Sequence, residues 1–115
     1  MSEAHTSKPK VPPTGTLEGF QETIEQLYGD RDRLRGVDGT FVWFVEEVGE
    51  LARALKGSDP RNLGEEFADV LAWLTTLASL AGIRMEDAAS RYGAGCPRCG
   101  ETPCACPSKR TQRTS

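Results

Sequence analysis

What the chain lacks narrows its possibilities quickly. None of its apolar runs approaches the roughly 18 to 20 residues that a membrane-spanning helix needs, so no transmembrane helix and no membrane partner is expected. The opening residues, MSEAHTSKPKVPP, hold no hydrophobic stretch of the kind a secretory leader uses, and the expectation is a cytoplasmic, reducing location. No cysteine precedes Cys96, so disulfides cannot tie core elements together. Proline is sparse in the middle, with five of the seven at Pro9, Pro12, Pro13, Pro103 and Pro107. No window alternates with period 2, so no sheet is expected. Basic charge is also scarce where the chain can fold: from Thr16 to Tyr92 fifteen acidic residues stand against eight basic ones. That balance is ill suited to gripping a phosphate backbone, so nucleic acid is not an expected partner and cations are.

What remains is a helical pattern. Residues 1–15 are polar and Pro-rich and read as a disordered tail. Leu17, Phe20, Ile24, Leu27 and Leu34 then repeat every three or four residues, predicting a first helix over about 17–35 with Thr16 as its N-cap. Asp38-Gly39 reads as a turn and Thr40 as the cap of a second helix, whose apolar face runs from Phe41 to Leu55 and which Gly57 ends. Asp59-Pro60 opens a third helix, carried by Leu63, Phe67, Val70, Leu74 and Leu77 toward Gly82. A fourth covers about 85–92. The expected fold is an all-α antiparallel bundle over 16–92, then a cysteine knuckle over 93–106 and a basic disordered tail over 107–115. So small a core is marginal alone, and its many apolar positions predict a homodimer or homotetramer.

Six carboxylates interrupt the apolar faces of the second and third helices. Glu47 and Glu50 are three apart, as are Glu66 and Asp69, so each pair shares a helix face with a rise of about 4.5 Å between its members. Six residues separate Glu50 from the Gly57-Ser58-Asp59 turn and six separate the turn from Glu66, which in an antiparallel hairpin sets Glu50 level with Glu66 and Glu47 level with Asp69. Ordinary solvated helix charge is the bland alternative. It is a poor one here, because Leu51 and Val70 stand where basic partners for Glu47 and Glu66 belong, and Glu46/Glu50 and Glu65/Asp69 are like-charge pairs. A hard divalent cation relieves the repulsion, and magnesium suits an all-oxygen, partly open site.

These residues also resemble a family. EEVGEL at 46–51 and EEFADVLAWL at 65–74, with the 15 residues from Leu51 to Glu65 as spacer between Glu50 and Glu66 and a following LAGIRMEDA segment, are similar to the MazG-type nucleotide pyrophosphohydrolases over about Leu17 to Tyr92. The resemblance implies an all-helical, oligomeric, magnesium-dependent enzyme that hydrolyses nucleoside triphosphates to the monophosphate and pyrophosphate. It gives Glu47, Glu50, Glu66 and Asp69 the metal-ligand roles. Glu46 or Glu65, one residue off that face, can accept the attacking water's proton. The chain departs from relatives at Arg84-Met85 and at Arg91, which are either phosphate contacts or helix-end charges answering the dipole.

The aromatics and cysteines complete the candidates. Trp43 and Trp73 lie four residues from Glu47 and Asp69, placing them either in the core or where a nucleobase stacks; Phe20 and Tyr28 pose the same question. Cys96-Pro-Arg-Cys99-Gly has the spacing of a zinc-ribbon knuckle, and Cys104 and Cys106 follow one residue apart, so the four thiols bind zinc, pair as disulfides or stay free. A four-thiolate site would be structural, with no open position for substrate. The competing functional class is a non-enzymatic adaptor that dimerises through its helices and docks a partner with the knuckle and Lys109, Arg110 and Arg113.

Overall fold

The computed structural model describes residues 13–107, and every regular element among them is helical. α1 spans Leu17–Lys56, α2 spans Pro60–Leu80, and a short α3, Met85–Ala89, continues into a 3-10 turn over Ser90–Tyr92. The expected tails fall outside the described residues, apart from 13–15 and 107.

The ends of these helices follow local chemistry. Thr16 caps α1, its hydroxyl accepting the Gly19 N–H at 2.9 Å. Gly19 is required there: a Cβ would lie 1.9 Å from the Pro13 carbonyl oxygen. Asp59 caps α2 through the Arg61 N–H at 3.1 Å, with Pro60 in the first turn where no donor is lost. After α2 the Ile83 N–H reaches back to the Ala78 carbonyl at 2.8 Å, a closure made possible by Gly82 at φ 76°.

Three helices, rather than the expected four, are present among the described residues. The expected turn at Asp38-Gly39 does not form, since both residues are helical. The interruption is Gly36 alone, at φ 81° and ψ 176°, after which the helix resumes at once. Thr40 therefore lies inside α1, fully buried, and accepts a hydrogen bond from Arg35 Nε at 3.0 Å instead of capping a helix. The expected fourth helix is also shorter, since its final turn tightens to 3-10 geometry.

α1 and α2 pack as an antiparallel pair. Gln21 meets Ser79, Asp32 meets Thr76 and Trp43 meets Trp73, so positions fall along α2 as they rise along α1. Little of this interface is apolar in the usual sense: Ile24 and Ala54 are the buried hydrophobic residues, beside buried Gln21, Thr23, Asp32, Thr40, Thr75 and Thr76. Gln21 bonds to Ser79 Oγ and the Ile83 carbonyl, both at 2.9 Å, and accepts the Met85 N–H at 2.8 Å, fixing the chain that leaves α2. Meanwhile Leu34, Phe41, Val42, Val45, Leu55 and Phe67 are more than half exposed.

The chain divides into two units, one ending at Met85 and one beginning at Glu86. In the second, the Cys96 N–H donates to the Glu101 carbonyl at 3.1 Å and the Gly100 N–H to the Cys96 carbonyl at 2.7 Å. Gly95 and Gly100 take φ of 105° and 78° to close this loop. None of its described residues is buried.

Candidate functional site

The helix pair brings three of the four expected acidic ligands together. Carboxylate oxygens of Glu47, from the second limb of α1, and of Glu66 and Asp69, from α2, all lie within 4.8 Å of one another. Glu50 falls outside this group. It accepts a hydrogen bond from Arg53 Nη1 at 3.0 Å, an i,i+3 pair in which both side chains are well exposed. Glu47 thus sits between Glu66 and Asp69 rather than level with Asp69 alone. Sequence counting places backbones, and a glutamate's reach along the helix exceeds half a turn.

The electrostatics of the trio call for a cation. Partial burial, then the charges of Asp69 and Glu66, push the Glu47 carboxyl above the usual carboxylate range. Glu66 Oε1 is buried with no hydrogen-bond partner, although an acceptor removed from water costs about 1 to 3 kcal/mol unless something satisfies it. A bound metal ion would supply what both groups lack. The all-oxygen donor set, half open to solvent through Asp69, fits a hard divalent ion. Glu46 and Glu65 flank the trio and are exposed, with Arg61 Nε 3.8 Å from Glu65.

A cavity of about 290 Å³ adjoins Asp69. It is lined by Tyr28, Arg31, Asp32, Arg35, Ala72, Trp73 and Thr76. Trp73 stacks on Trp43, with ring centroids 6.1 Å apart and planes 13° from parallel, and the Arg35 guanidinium lies 4.8 Å from its ring centroid. Arg35 is held there by buried Asp32, which also accepts from Thr76 Oγ1 at 3.1 Å, and by Thr40. Arg31, Asp32, Arg35 and Thr76 were not expected at a site. The run RDRLR reads as a solvated charged face, and only the 32/35 spacing hints that one of its ion pairs turns inward.

The two arginines expected as phosphate contacts or helix-end charges each have a neighbour of their own. Arg84 donates to Glu25 Oε2 at 3.1 Å, where Ser79 Oγ also donates at 2.6 Å, so it belongs to the polar network around Gln21. Arg91 lies in the second unit, its guanidinium 5.8 Å from the Tyr92 ring centroid. Phe20 is half-buried on α1 and is absent from the cavity lining.

All four cysteines converge. The sulfurs of Cys96, Cys99, Cys104 and Cys106 lie within 4.8 Å of one another, with 3.9 Å between Cys96 and Cys106 and 4.0 Å between Cys99 and Cys104. Backbone N–H groups point at them: Ala105 at Cys99, Cys106 at Cys104, both 3.3 Å, and Arg98 at Cys96, 3.4 Å. The Ala105 and Glu101 amides lower Cys99 to about 6, and those of Cys99 and Arg98 lower Cys96. Cys106, crowded by Cys104 and Cys99, is pushed up to about 12. Four such neighbours cannot all ionise without a cation among them.

No curated protein matches the chain. Residues 36–94 match the family model of the MazG nucleotide pyrophosphohydrolase domain, a match that begins at the Gly36 break and takes in Glu47, Glu66 and Asp69. With over half of its length matched and the acidic trio assembled on the matched helices, the chain belongs to the MazG nucleotide pyrophosphohydrolase family.

Proposed function

We propose that this chain is a magnesium-dependent nucleoside triphosphate pyrophosphohydrolase, and the observation that carries the proposal is the Glu47, Glu66 and Asp69 cluster with its unpartnered buried Glu66 oxygen. In the reaction, water oxygen bonds to the α-phosphorus, the bond from that phosphorus to the bridging oxygen breaks, and monophosphate and pyrophosphate leave. Glu47, Glu66 and Asp69 would hold the magnesium, which would neutralise triphosphate charge and acidify water.

The chain's own residues supply the rest. Glu50 would join the ligands on leaving Arg53, a cheap change because an exposed ion pair is worth only about 0 to 1 kcal/mol. Glu46 or Glu65, both exposed and one residue off the ligand face, takes the proton from water. The Asp69 end of the cavity faces the phosphates. Trp73 and Tyr28 give flat apolar walls for the base, and exposed Arg31 gives a guanidinium for phosphate oxygen. Arg35, committed to Asp32 and Thr40, positions Trp73 instead.

Phe41, Val42, Val45, Leu55 and Phe67 leave an apolar surface that a second copy of the chain would cover, and we read the working form as a homodimer or homotetramer. Removal of surplus or noncanonical nucleotides in the cytoplasm is the corresponding role. The deciding experiment incubates the full chain with deoxynucleoside and nucleoside triphosphates plus magnesium and follows pyrophosphate. No release from any of them would leave the adaptor reading in its place.

A further inference from the structure

The geometry points to a mononuclear zinc tetrathiolate formed by Cys96, Cys99, Cys104 and Cys106, which holds the second unit together as a fold of its own. It stands apart from the hydrolase reading and rests on three observations.

The first is size. A zinc ion with four sulfurs at about 2.3 Å sets tetrahedron edges of about 3.8 Å. The two pairs measured at 3.9 and 4.0 Å are already there, and the remaining separations, all under 4.8 Å, need only slight closing. A multi-iron cluster would hold its cysteines farther apart than one ion does. Two disulfides would draw each pair to about 2.0 Å and give no reason for both pairs to share one centre.

The second is the surrounding polarity. Four thiols give up their protons to solvent on binding, and the centre then carries a net charge of about -2 with zinc included. Three backbone N–H groups already aim at the sulfurs. Arg91 and Arg98 line the same cavity as Cys96, Cys104 and Cys106, so two guanidinium groups attend a centre that needs positive charge nearby.

The third is what else could hold this unit. From Glu86 to Pro107 no residue is buried, so hydrophobic burial contributes almost nothing to its order. Yet the loop follows a closed path, with Gly95 and Gly100 at positive φ and the Cys96 and Gly100 amides bonded across it. A loop without a core takes such a path when a metal supplies the folding free energy. With all four positions taken by thiolates, the ion has no room for substrate.

The test uses the full chain purified under reducing conditions. Elemental analysis should find about one zinc per chain. Chelation should increase tryptic cleavage after Arg98 by about tenfold or more, with zinc alone restoring resistance, while the far-ultraviolet helical signal of α1 and α2 is kept. Cobalt(II) added to the stripped chain should give the visible absorption of a tetrahedral thiolate site. Glu66→Gln should retain zinc, and Cys99→Ser and Cys104→Ser should each lose it. The inference is overturned by iron in place of zinc, by two disulfides in the reduced preparation, by cleavage after Arg98 that ignores chelation, or by zinc that follows Glu66 rather than the cysteines.

Discussion

The acidic trio and the cysteine cluster are both groups of mutually close candidate metal ligands, yet they are assembled in opposite ways. The four thiols lie within eleven residues of chain on a loop with no buried residue, and all four meet. The carboxylates come from two long helices, with 15 residues between Glu50 and Glu66, and one of the four expected stays outside, tied to Arg53. Short-range chain geometry brings all four side chains of a local motif together. A group that spans two helices depends on how the helices pack.

That contrast can be broken most severely at Glu66. Glu66→Gln, or Asp69→Asn, should lower turnover by about 100-fold or more, since even partners that only orient a metal ligand are worth 10 to 100-fold. Circular dichroism should stay helical, and pyrophosphate release that survives both changes would remove the trio from the site. On the other side, the double variant Cys96→Ser, Cys99→Ser should contain no zinc and show order lost from Glu86 onward in hydrogen exchange, with protection in α2 unchanged.

Asp32 tests whether the cavity wall is itself a packed element. Asp32→Ala strands Thr76 and Arg35 in a mostly buried setting and should cost about 2 to 4 kcal/mol in urea unfolding; a loss below about 0.5 kcal/mol would show that the network does not order the wall. Glu50→Ala should be milder. In the absence of metal its stability change should stay within about 1 kcal/mol, as for an exposed pair, while the magnesium needed for half-maximal activity rises several-fold. Equal magnesium requirements would keep Glu50 out of the ligand set.

The smallest effect is on pH dependence. Because the Glu47 carboxyl is raised, the folded chain holds a proton that the unfolded chain releases. Its contribution to stability is fully present below the ordinary glutamate range and is lost as pH rises through the raised value. Metal-free protein should therefore melt at slightly lower temperature as pH climbs out of the mildly acidic range, and saturating magnesium should cancel the trend. Melting that rises with pH in the metal-free chain would mean that Glu47 is not crowded as described.

Much of this was legible along the chain because it depends on neighbours only. Thr16, Asp59-Pro60 and Gly82 mark helix ends through hydrogen bonds and backbone angles closed within a few residues. The break in α1 was misplaced at Asp38-Gly39 because a turn dipeptide is a weaker constraint than continued helix; one glycine at 36 already redirects the chain. Arg35 and Asp32 could not be told from surface charge, since their value comes from Thr40, Trp73 and Thr76 arriving beside them.

The residues alone determined the helical class, the caps at Thr16 and Asp59-Pro60 and two groups of candidate metal-binding side chains, because periodicity, capping and ligand chemistry are properties of short segments. Tertiary packing decided that Glu47, Glu66 and Asp69 meet while Glu50 turns to Arg53, and that Trp73 joins Asp69 at a cavity. It also decided that so much apolar surface stays uncovered on one copy of the chain. These outcomes turn on side-chain reach and on contacts between residues far apart in the chain, which spacing along one helix does not encode.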